Sequence, residues 1–239
     1  MYQFNENFNH KALFWFKKSL IENLNWSLLS TSSKAIFPVI ACHSNKAGNS
    51  FPGELTIGIL SGLSKKQVRR GINGLKMFPD VTVYDNKRLK RFDIKLPQEA
   101  IKGKTFPFYQ VVLEYGLWRE LKPTTKALYP AMRCFSQFDL EIYLDIEGDE
   151  EKSHLDFDEV YANREYDLCS ENKKTLADFA GIHRNSINDA LYNLEENFLI
   201  ERNTNWKLWK VYLQSKDGAY WKRSFLNKKI ARSFRSLLN

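Results

Sequence analysis

Apolar residues recur at helical spacing in the stretch GLSKKQVRRGINGL, which covers residues 62–75. Leu63, Val68, Ile72 and Leu75 fall on one face of a helix, because residues three or four positions apart lie on the same side. The positions between them include four cations: Lys65, Lys66, Arg69 and Arg70. The pattern therefore predicts an amphipathic helix that turns an apolar face to a core and a cationic face outward.

Signals for helix ends surround this stretch. Ser64 is a favoured N-cap residue, and Gln67 three positions later completes a capping-box pattern. Upstream, Pro52 suits the first turn of a preceding helix, and Gly62 is the residue type that closes one. An earlier apolar segment predicts a further helix over residues 31–43. The sequence thus predicts three successive helices with a sharp corner before the last.

Several segments alternate between apolar and polar positions, as strands with one buried face do. VTVYDNKRLKRFDIKL (81–96) predicts a hairpin with its tip at 85–88. LIERNTNWKLWKVYL (199–213) predicts a second hairpin with its tip at 203–205. FDLEIYLDI, over residues 138–146, alternates as well and predicts a further strand.

The chain contains an internal repeat. Residues 26–44 and 118–136 align without gaps at an offset of 92, with seven of nineteen positions identical, where chance gives about one. Residues 56–75 and 175–194 then align at an offset of 119 and place Gly62 opposite Gly181. The alignment predicts two copies of one unit, the second enlarged by an insertion.

Both copies resemble the winged helix-turn-helix domains of phage, plasmid and other mobile-element proteins, in which the pattern W..L...AK.LY precedes LA...G.SR.TV..AL..L. The resemblance covers 26–98 and 107–215. The tandem arrangement is similar to that of plasmid replication initiators, which are built from two winged helices. It implies a mainly α fold with small β-hairpin wings (α+β). This fold comprises tandem winged helix-turn-helix domains over 1–98 and 99–219, followed by a basic C-terminal helix over 220–239.

The formal net charge of +8 is unevenly distributed. Residues 137–171, which span the insertion, hold 2 basic and 13 acidic side chains, whereas the rest of the chain carries +19. An excess of positive charge favours a polyanionic partner. Two roles are open for the acidic insertion. It is either a solvated loop facing away from DNA, or a segment that folds over a basic surface such as 220–239 or 64–75 and competes with DNA.

In the resembled family the third helix enters the major groove of DNA and the hairpin contacts the backbone or minor groove. Arg and Lys suit guanine edges, and Gln and Asn suit adenine edges. The resemblance implies that the first copy binds DNA through two sets of residues. The helix set is Ser64, Lys65, Lys66, Gln67, Arg69, Arg70 and Asn73. The hairpin set is Lys87, Arg88, Lys90 and Arg91. A solvated helix face and a charged edge strand are the alternatives.

The equivalent helix of the second copy carries little net charge. Its candidate DNA-contacting residues are Arg184, Asn185, Ser186 and Asn188. This set suits base reading with weak phosphate anchoring, or contact with a protein. His183 occupies the position of Ser64 and is a weaker N-cap residue.

Composition argues against other classes of protein. No apolar run approaches the length of a membrane span, and the N-terminus lacks the order of a signal peptide. The three cysteines are too scattered for a disulfide framework or a zinc site, which predicts a reducing cytoplasm. DNA binding would make the protein nucleoid-associated there. The four histidines form no ligand pair, and no nucleophile–base pair stands out. We therefore expect no catalytic residues, metal or cofactor.

The sequence predicts a sequence-specific double-stranded DNA-binding protein. It would act in replication initiation or transcriptional control of a mobile element. The alternative is a tandem winged-helix scaffold for protein assembly, for instance in helicase loading. A homodimer, or a protein partner contacted through the second domain or the acidic insertion, is compatible with either function.

Overall fold

The computed structural model describes residues 13–86, 89–114, 116–147, 160–161 and 164–214. In this part the chain is a mixed α/β protein with small antiparallel sheets. The predicted sites Lys87 and Arg88 and the predicted helix over 220–239 lie outside the described residues.

The secondary-structure elements follow in chain order. The helices are α1 (Ser19–Glu22), α2 (Asn25–Leu28), α3 (Thr31–Cys42), α4 (Glu54–Ser61), α5 (Lys65–Leu75), α6 (Val111–Glu114), α7 (Leu117–Glu120), α8 (Pro123–Phe135), α9 (Leu140–Glu147), α10 (Lys173–Ala180) and α11 (Ile187–Glu196). The strands are β1 (Leu13–Lys17), β2 (Asn49–Ser50), β3 (Val81–Asn86), β4 (Leu89–Ile94), β5 (Thr105–Tyr109), β6 (Tyr166–Cys169), β7 (Ile200–Asn203) and β8 (Leu208–Tyr212).

The chain divides into two compact units that do not follow chain order. The first unit contains 13–18 and 32–119, and the second contains 19–31 together with the described residues from 120 onward. The first unit therefore holds β1–β5 with most of α3 to α7. The second holds α1, α2, α8–α11 and β6–β8.

The first unit is built around a buried α3. The strands β2, β4 and β3 form an antiparallel sheet in which Val81 lies opposite Ile94. A separate pair, β1 and β5, adds Phe16, whose ring lies 5.3 Å from that of Phe37 in α3 and 5.0 Å from that of Phe106. These aromatic contacts place the core between the strand pair and α3.

The corner between α4 and α5 forms where the sequence predicts it. Gly62 ends α4 with a φ of 71°, and a Cβ there would lie 2.5 Å from the carbonyl oxygen of Arg119, so the position requires glycine. Ser64 Oγ then accepts from the backbone N–H of Gln67 at 3.4 Å, and Ser64 N–H donates to Gln67 Oε1 at 2.9 Å. The predicted capping box and helix end are confirmed.

The apolar face of α5 packs tightly into its unit. Val68, Ile72 and Leu75 are buried, as the helical spacing predicts. Gly71 lets the helix approach α3, because a Cβ at this position would lie 2.9 Å from the carbonyl oxygen of Ser32. The opposite face of α5 is thereby held outward by close packing on its buried side.

The second unit repeats this order of elements. α10 ends at Gly181, which has a φ of 61°, and α11 buries Ile187, Leu191 and Leu194. The sheet has the order β6–β8–β7 and is antiparallel. The second hairpin is confirmed, although its turn covers 204–207 rather than 203–205.

The first residues of each repeat do not pack with the rest of that repeat. They pack in the compact unit that is formed mainly by the other repeat. Trp26 of α2 is buried in the second unit, and its Nε1 donates to the carbonyl oxygen of Ala127 in α8 at 2.9 Å. Trp118 of α7 is buried in the first unit, and its Nε1 donates to the carbonyl oxygen of Ala35 in α3 at 2.8 Å. Both tryptophans and both alanines are aligned positions of the repeat. The two repeats therefore exchange equivalent segments.

A pair of aligned lysines is also buried, one in each unit. Lys34 precedes Ala35 in α3, and Lys126 precedes Ala127 in α8. Burial lowers the pKa of both ammonium groups to about 8, although the charge of Glu120 partly opposes the shift in Lys126. Aligned positions of the repeat thus share buried polar chemistry as well as packing.

The prediction of a strand over 138–146 is wrong, because this segment contains the helix α9. Its apolar residues satisfy two periods at once: they alternate, but Leu140, Tyr143 and Ile146 are also spaced three apart. Asp139 decides between the periods, since its Oδ1 accepts from the backbone N–H of Ile142 at 3.1 Å and caps the helix. Tyr143 then packs into an apolar cluster with residues of β6 and β8.

A buried carboxylate links the long helix of the second unit to its sheet. Asp167 in β6 accepts from Arg133 Nη1 of α8 at 2.9 Å and from Arg164 Nε at 2.5 Å. Burial acts to raise the pKa of Asp167, but the charges and hydrogen bonds of Arg133 and Arg164 outweigh it and hold the pKa below its usual range. Asp167 is therefore ionised in the folded chain and compensates two guanidinium groups.

Candidate nucleic-acid interface

The outer face of α5 carries every side chain that the sequence predicts there. Ser64, Lys65, Lys66, Gln67, Arg69, Arg70 and Asn73 are all exposed. Ser64 and Gln67 bond each other in the capping box, so their first role is to start the helix. The cations therefore make up most of what this face offers to a ligand.

All four cations of α5 are exposed, but three of them differ from Arg69 in their contacts. Within the described part of the chain, Lys65, Lys66 and Arg70 form no ion pair. They project from the first two turns of a helix whose opposite face is fixed by buried contacts. An exposed cluster of this kind, on a rigid element, is suited to an anionic partner.

The fourth cation, Arg69, is held by a carboxylate. Glu54, the first residue of α4, has its Oε2 3.1 Å from Arg69 Nε and its Oε1 2.6 Å from Lys90 Nζ. The hydrogen bond from Lys90 is the main cause of a lowered pKa for Glu54; burial opposes it, and Arg69 adds to it. Glu54 thus joins α5 to the β3–β4 hairpin, and it holds one predicted contact residue from each.

The β3–β4 hairpin lies beside α5 in the same unit and carries the other predicted set. Lys90 is half-buried against Glu54, as described above. Arg91 forms two bonds with Asp93, Nε to Oδ1 at 2.7 Å and Nη2 to Oδ2 at 2.9 Å, and its guanidinium lies 5.2 Å from the ring centre of Tyr84. These contacts orient both described hairpin cations before any ligand arrives.

The second unit places its candidate residues differently. Residues Arg184–Ser186 form a 3-10 turn, and α11 begins only after it. His183 Nδ1 accepts from the backbone N–H of Asn185 at 3.3 Å, a longer bond than a good cap makes. Arg184, Asn185 and Asn188 are exposed and Ser186 is half-buried. The looser first turn is consistent with the weaker N-cap that histidine provides.

Acidic residues of α9 contact the second hairpin and the neighbouring strand of its sheet. Asp145 Oδ2 accepts from Trp206 Nε1 at 3.0 Å, and Glu147 Oε1 accepts from Lys210 Nζ at 3.1 Å and from the Tyr166 hydroxyl at 2.6 Å. The described part of the acidic insertion therefore packs on the sheet of its own unit. Residues 148–159 lie outside the described part.

Sequence reasoning did not find Glu54. Its proximity to Arg69 and Lys90 depends on three elements coming together in space, so no local pattern gives it. The repeat alignment offers one signal, because it sets Glu54 opposite Lys173. The two copies therefore differ in charge at this position: α4, which precedes the cationic α5, begins with an acidic residue, whereas α10 begins with a basic one.

Comparison of the chain with protein-family models, with curated proteins and with solved structures found no match. Across the described residues, no helix is both long enough and apolar enough to cross a membrane. The same residues contain no group of three or more His, Cys, Asp or Glu side chains that could hold a metal ion. The geometry and charge of α5 and of the hairpin beside it are the features of this chain that bear on function.

Proposed function

We propose that this chain is a sequence-specific double-stranded DNA-binding protein built from two tandem winged helix-turn-helix domains. The main support is α5, which follows a glycine corner, buries one face and exposes Lys65, Lys66 and Arg70 on the other. The β3–β4 hairpin beside it occupies the place of a wing. Cations on this helix at this position favour DNA contact over a merely solvated face.

The dimensions of α5 suit the major groove. Its 11 residues make a helix about 16 Å long, and the groove is roughly 12 Å wide and 8.5 Å deep. Arg70 and Asn73 lie on adjacent turns of the outer face and can bond guanine and adenine edges. Lys65 and Lys66, in the first turn, are placed to meet phosphates.

The biological process is replication initiation or transcriptional control of a mobile element. Selection of bound sequences from random duplex DNA by the full chain tests the proposal and separates these roles. An enriched motif that recurs as an array near an origin supports initiation, and a single site overlapping a promoter supports transcriptional control. Failure to enrich any motif would contradict sequence-specific binding.

Replacement of Arg70 by alanine is expected to weaken binding to the selected duplex by ~1–3 kcal/mol, the cost of one lost bidentate base contact. Binding to random duplex should weaken less, because it lacks that contact. Fluorescence anisotropy titrations measure both affinities. Lys46→Ala removes an exposed cation of the same unit that belongs neither to α5 nor to the β3–β4 hairpin, and it is the matched control. Parental affinity in the Arg70 variant would remove this residue from the interface.

A second function is favoured by a specific observation in the second unit. The acidic helix α9 is bonded to Trp206 and Lys210 of the second hairpin, and α11 offers little positive charge. Such a unit suits contact with a protein, as in a nucleoprotein assembly or helicase-loading scaffold. Titration of duplex DNA with an Arg184→Ala variant distinguishes DNA contact from protein contact by the second unit. A loss of affinity for the duplex supports DNA contact, and an unchanged affinity favours protein contact.

A further inference from the structure

We propose that Glu54 is a positioning residue that raises the ratio of specific to nonspecific DNA binding. It does so by holding Arg69 of α5 and Lys90 of the hairpin in a shared ion pair. This inference rests on the proposed function and concerns a carboxylate that DNA itself would repel. A negative charge between Arg69 and Lys90 weakens the attraction of both cations to phosphates.

The contacts of Glu54 tie three elements of the first unit together. The residue begins α4, directly after the N-cap Gly53, where a negative charge is favoured by the helix dipole. Its side chain is only 20% exposed, and that of Lys90 is 24% exposed. Because both partners of the 2.6 Å pair are largely withdrawn from water, the contact is screened less than a surface salt bridge. It therefore fixes the hairpin relative to α4 and α5.

The ion pair also decides what the two cations can do. Nonspecific affinity comes from phosphates neutralised by mobile cations, whereas specific affinity also needs correctly placed base contacts. Held by Glu54, Arg69 and Lys90 are poor partners for phosphates in arbitrary register. At the same time α5 and the hairpin keep one relative geometry, which is a condition for precise base readout. Both effects raise the specificity ratio.

The second unit repeats the geometry with different chemistry. Lys173 is aligned with Glu54, Asn188 is aligned with Arg69, and Lys173 Nζ donates to Asn188 Oδ1 at 2.8 Å. The first residue of the preceding helix thus bonds the same position of the following helix in both units. Only the first unit places a carboxylate there. A side-chain contact between the two helices is therefore present at the same position of both units. The carboxylate is present only in the unit whose second helix, α5, is cationic.

The test compares the full chain with its Glu54→Gln variant on the selected duplex and on random duplex, at several salt concentrations. Glu99→Gln makes the same change of charge at an exposed position of the same unit and is the control. We expect Glu54→Gln to tighten binding to random duplex and to steepen its salt dependence by about 0.9, the contribution of Arg69 once it can meet a phosphate. The ratio of specific to nonspecific affinity should fall by roughly fivefold or more.

The mechanism is checked by removing Arg69 as well. In an Arg69→Ala background, Glu54→Gln should change the salt dependence much less than it does in the parental chain, since the cation that it releases from α5 is absent. An unchanged specificity ratio, or a change equal to that of Glu99→Gln, would overturn the role of Glu54. These results are distinct from failure of the proposed function, in which the parental chain itself would show no preference for any duplex.

Discussion

Replacing Trp26 with alanine will raise amide hydrogen exchange more in α8 than in α3, although α3 follows Trp26 directly in the chain. The change should lower the free energy of unfolding by about 3–5 kcal/mol, because it empties a fully buried indole site. It also leaves the carbonyl oxygen of Ala127 without its 2.9 Å donor. Hydrogen exchange with mass spectrometry and urea unfolding measure the two effects.

Replacing Trp118 with alanine should give the reciprocal result, with the larger increase in α3, because its indole bonds Ala35. Trp206, which is 45% exposed, supplies the control: Trp206→Ala should cost much less unfolding free energy. If the Trp26 variant loosens α3 and leaves α8 unchanged, the exchange of opening segments between the repeats is contradicted.

Replacing Asp167 with alanine will lower the free energy of unfolding by about 3–5 kcal/mol, because it leaves two guanidinium groups without their carboxylate. Arg133 is only 1% exposed. Its Nε and Nη2 have no hydrogen-bond partner among the described residues. Its Nη1 would keep the carbonyl oxygen of Val211 at 3.5 Å, which carries no charge to compensate the guanidinium. Urea unfolding measures the loss, and Asp178→Ala, which removes an exposed carboxylate 4.0 Å from Arg184, should cost little.

The lowered pKa of Asp167 adds a pH dependence to this prediction. A carboxyl group with a lower pKa in the folded state contributes stability above its unfolded pKa of 3.8, and the contribution is lost as pH falls below that value. The parental chain should therefore lose more unfolding free energy on acidification than Asp167→Asn does. Equal losses, together with a near-normal stability of Asp167→Ala at neutral pH, would contradict the buried ion-pair account.

Local signals made much of the first unit predictable. The face of α5 that contains Val68 and Ile72 is set by helical spacing, and its start is set by Ser64 and Gln67, which lie three residues apart. The hairpins follow from alternation around a polar tip. In each case the residues that decide the structure are neighbours in sequence, so tertiary context was not needed.

Other features depend on partners that are distant in sequence. Trp26 meets Ala127 across 101 residues, and Glu54 meets Lys90 across 36. No periodic pattern encodes such pairs. The prediction of a strand in place of α9 fails for a different reason. The apolar residues of this segment fit both the strand period and the helix period, so the sequence pattern alone does not separate the two. The Asp139 cap and the packing of Tyr143 on the sheet favour the helix.

The salt dependence of binding to the selected duplex tests the central proposal most directly. Two triple variants with the same change of charge are compared: Lys65, Lys66 and Arg70 to alanine on α5, and Lys46, Lys102 and Lys104 to alanine at exposed positions elsewhere in the first unit. If Lys65 and Lys66 meet phosphates, the slope of log K against log salt should fall by up to about 1.8 in the first variant and change little in the second. Equal slopes and equal affinities in the two variants would contradict DNA binding through α5.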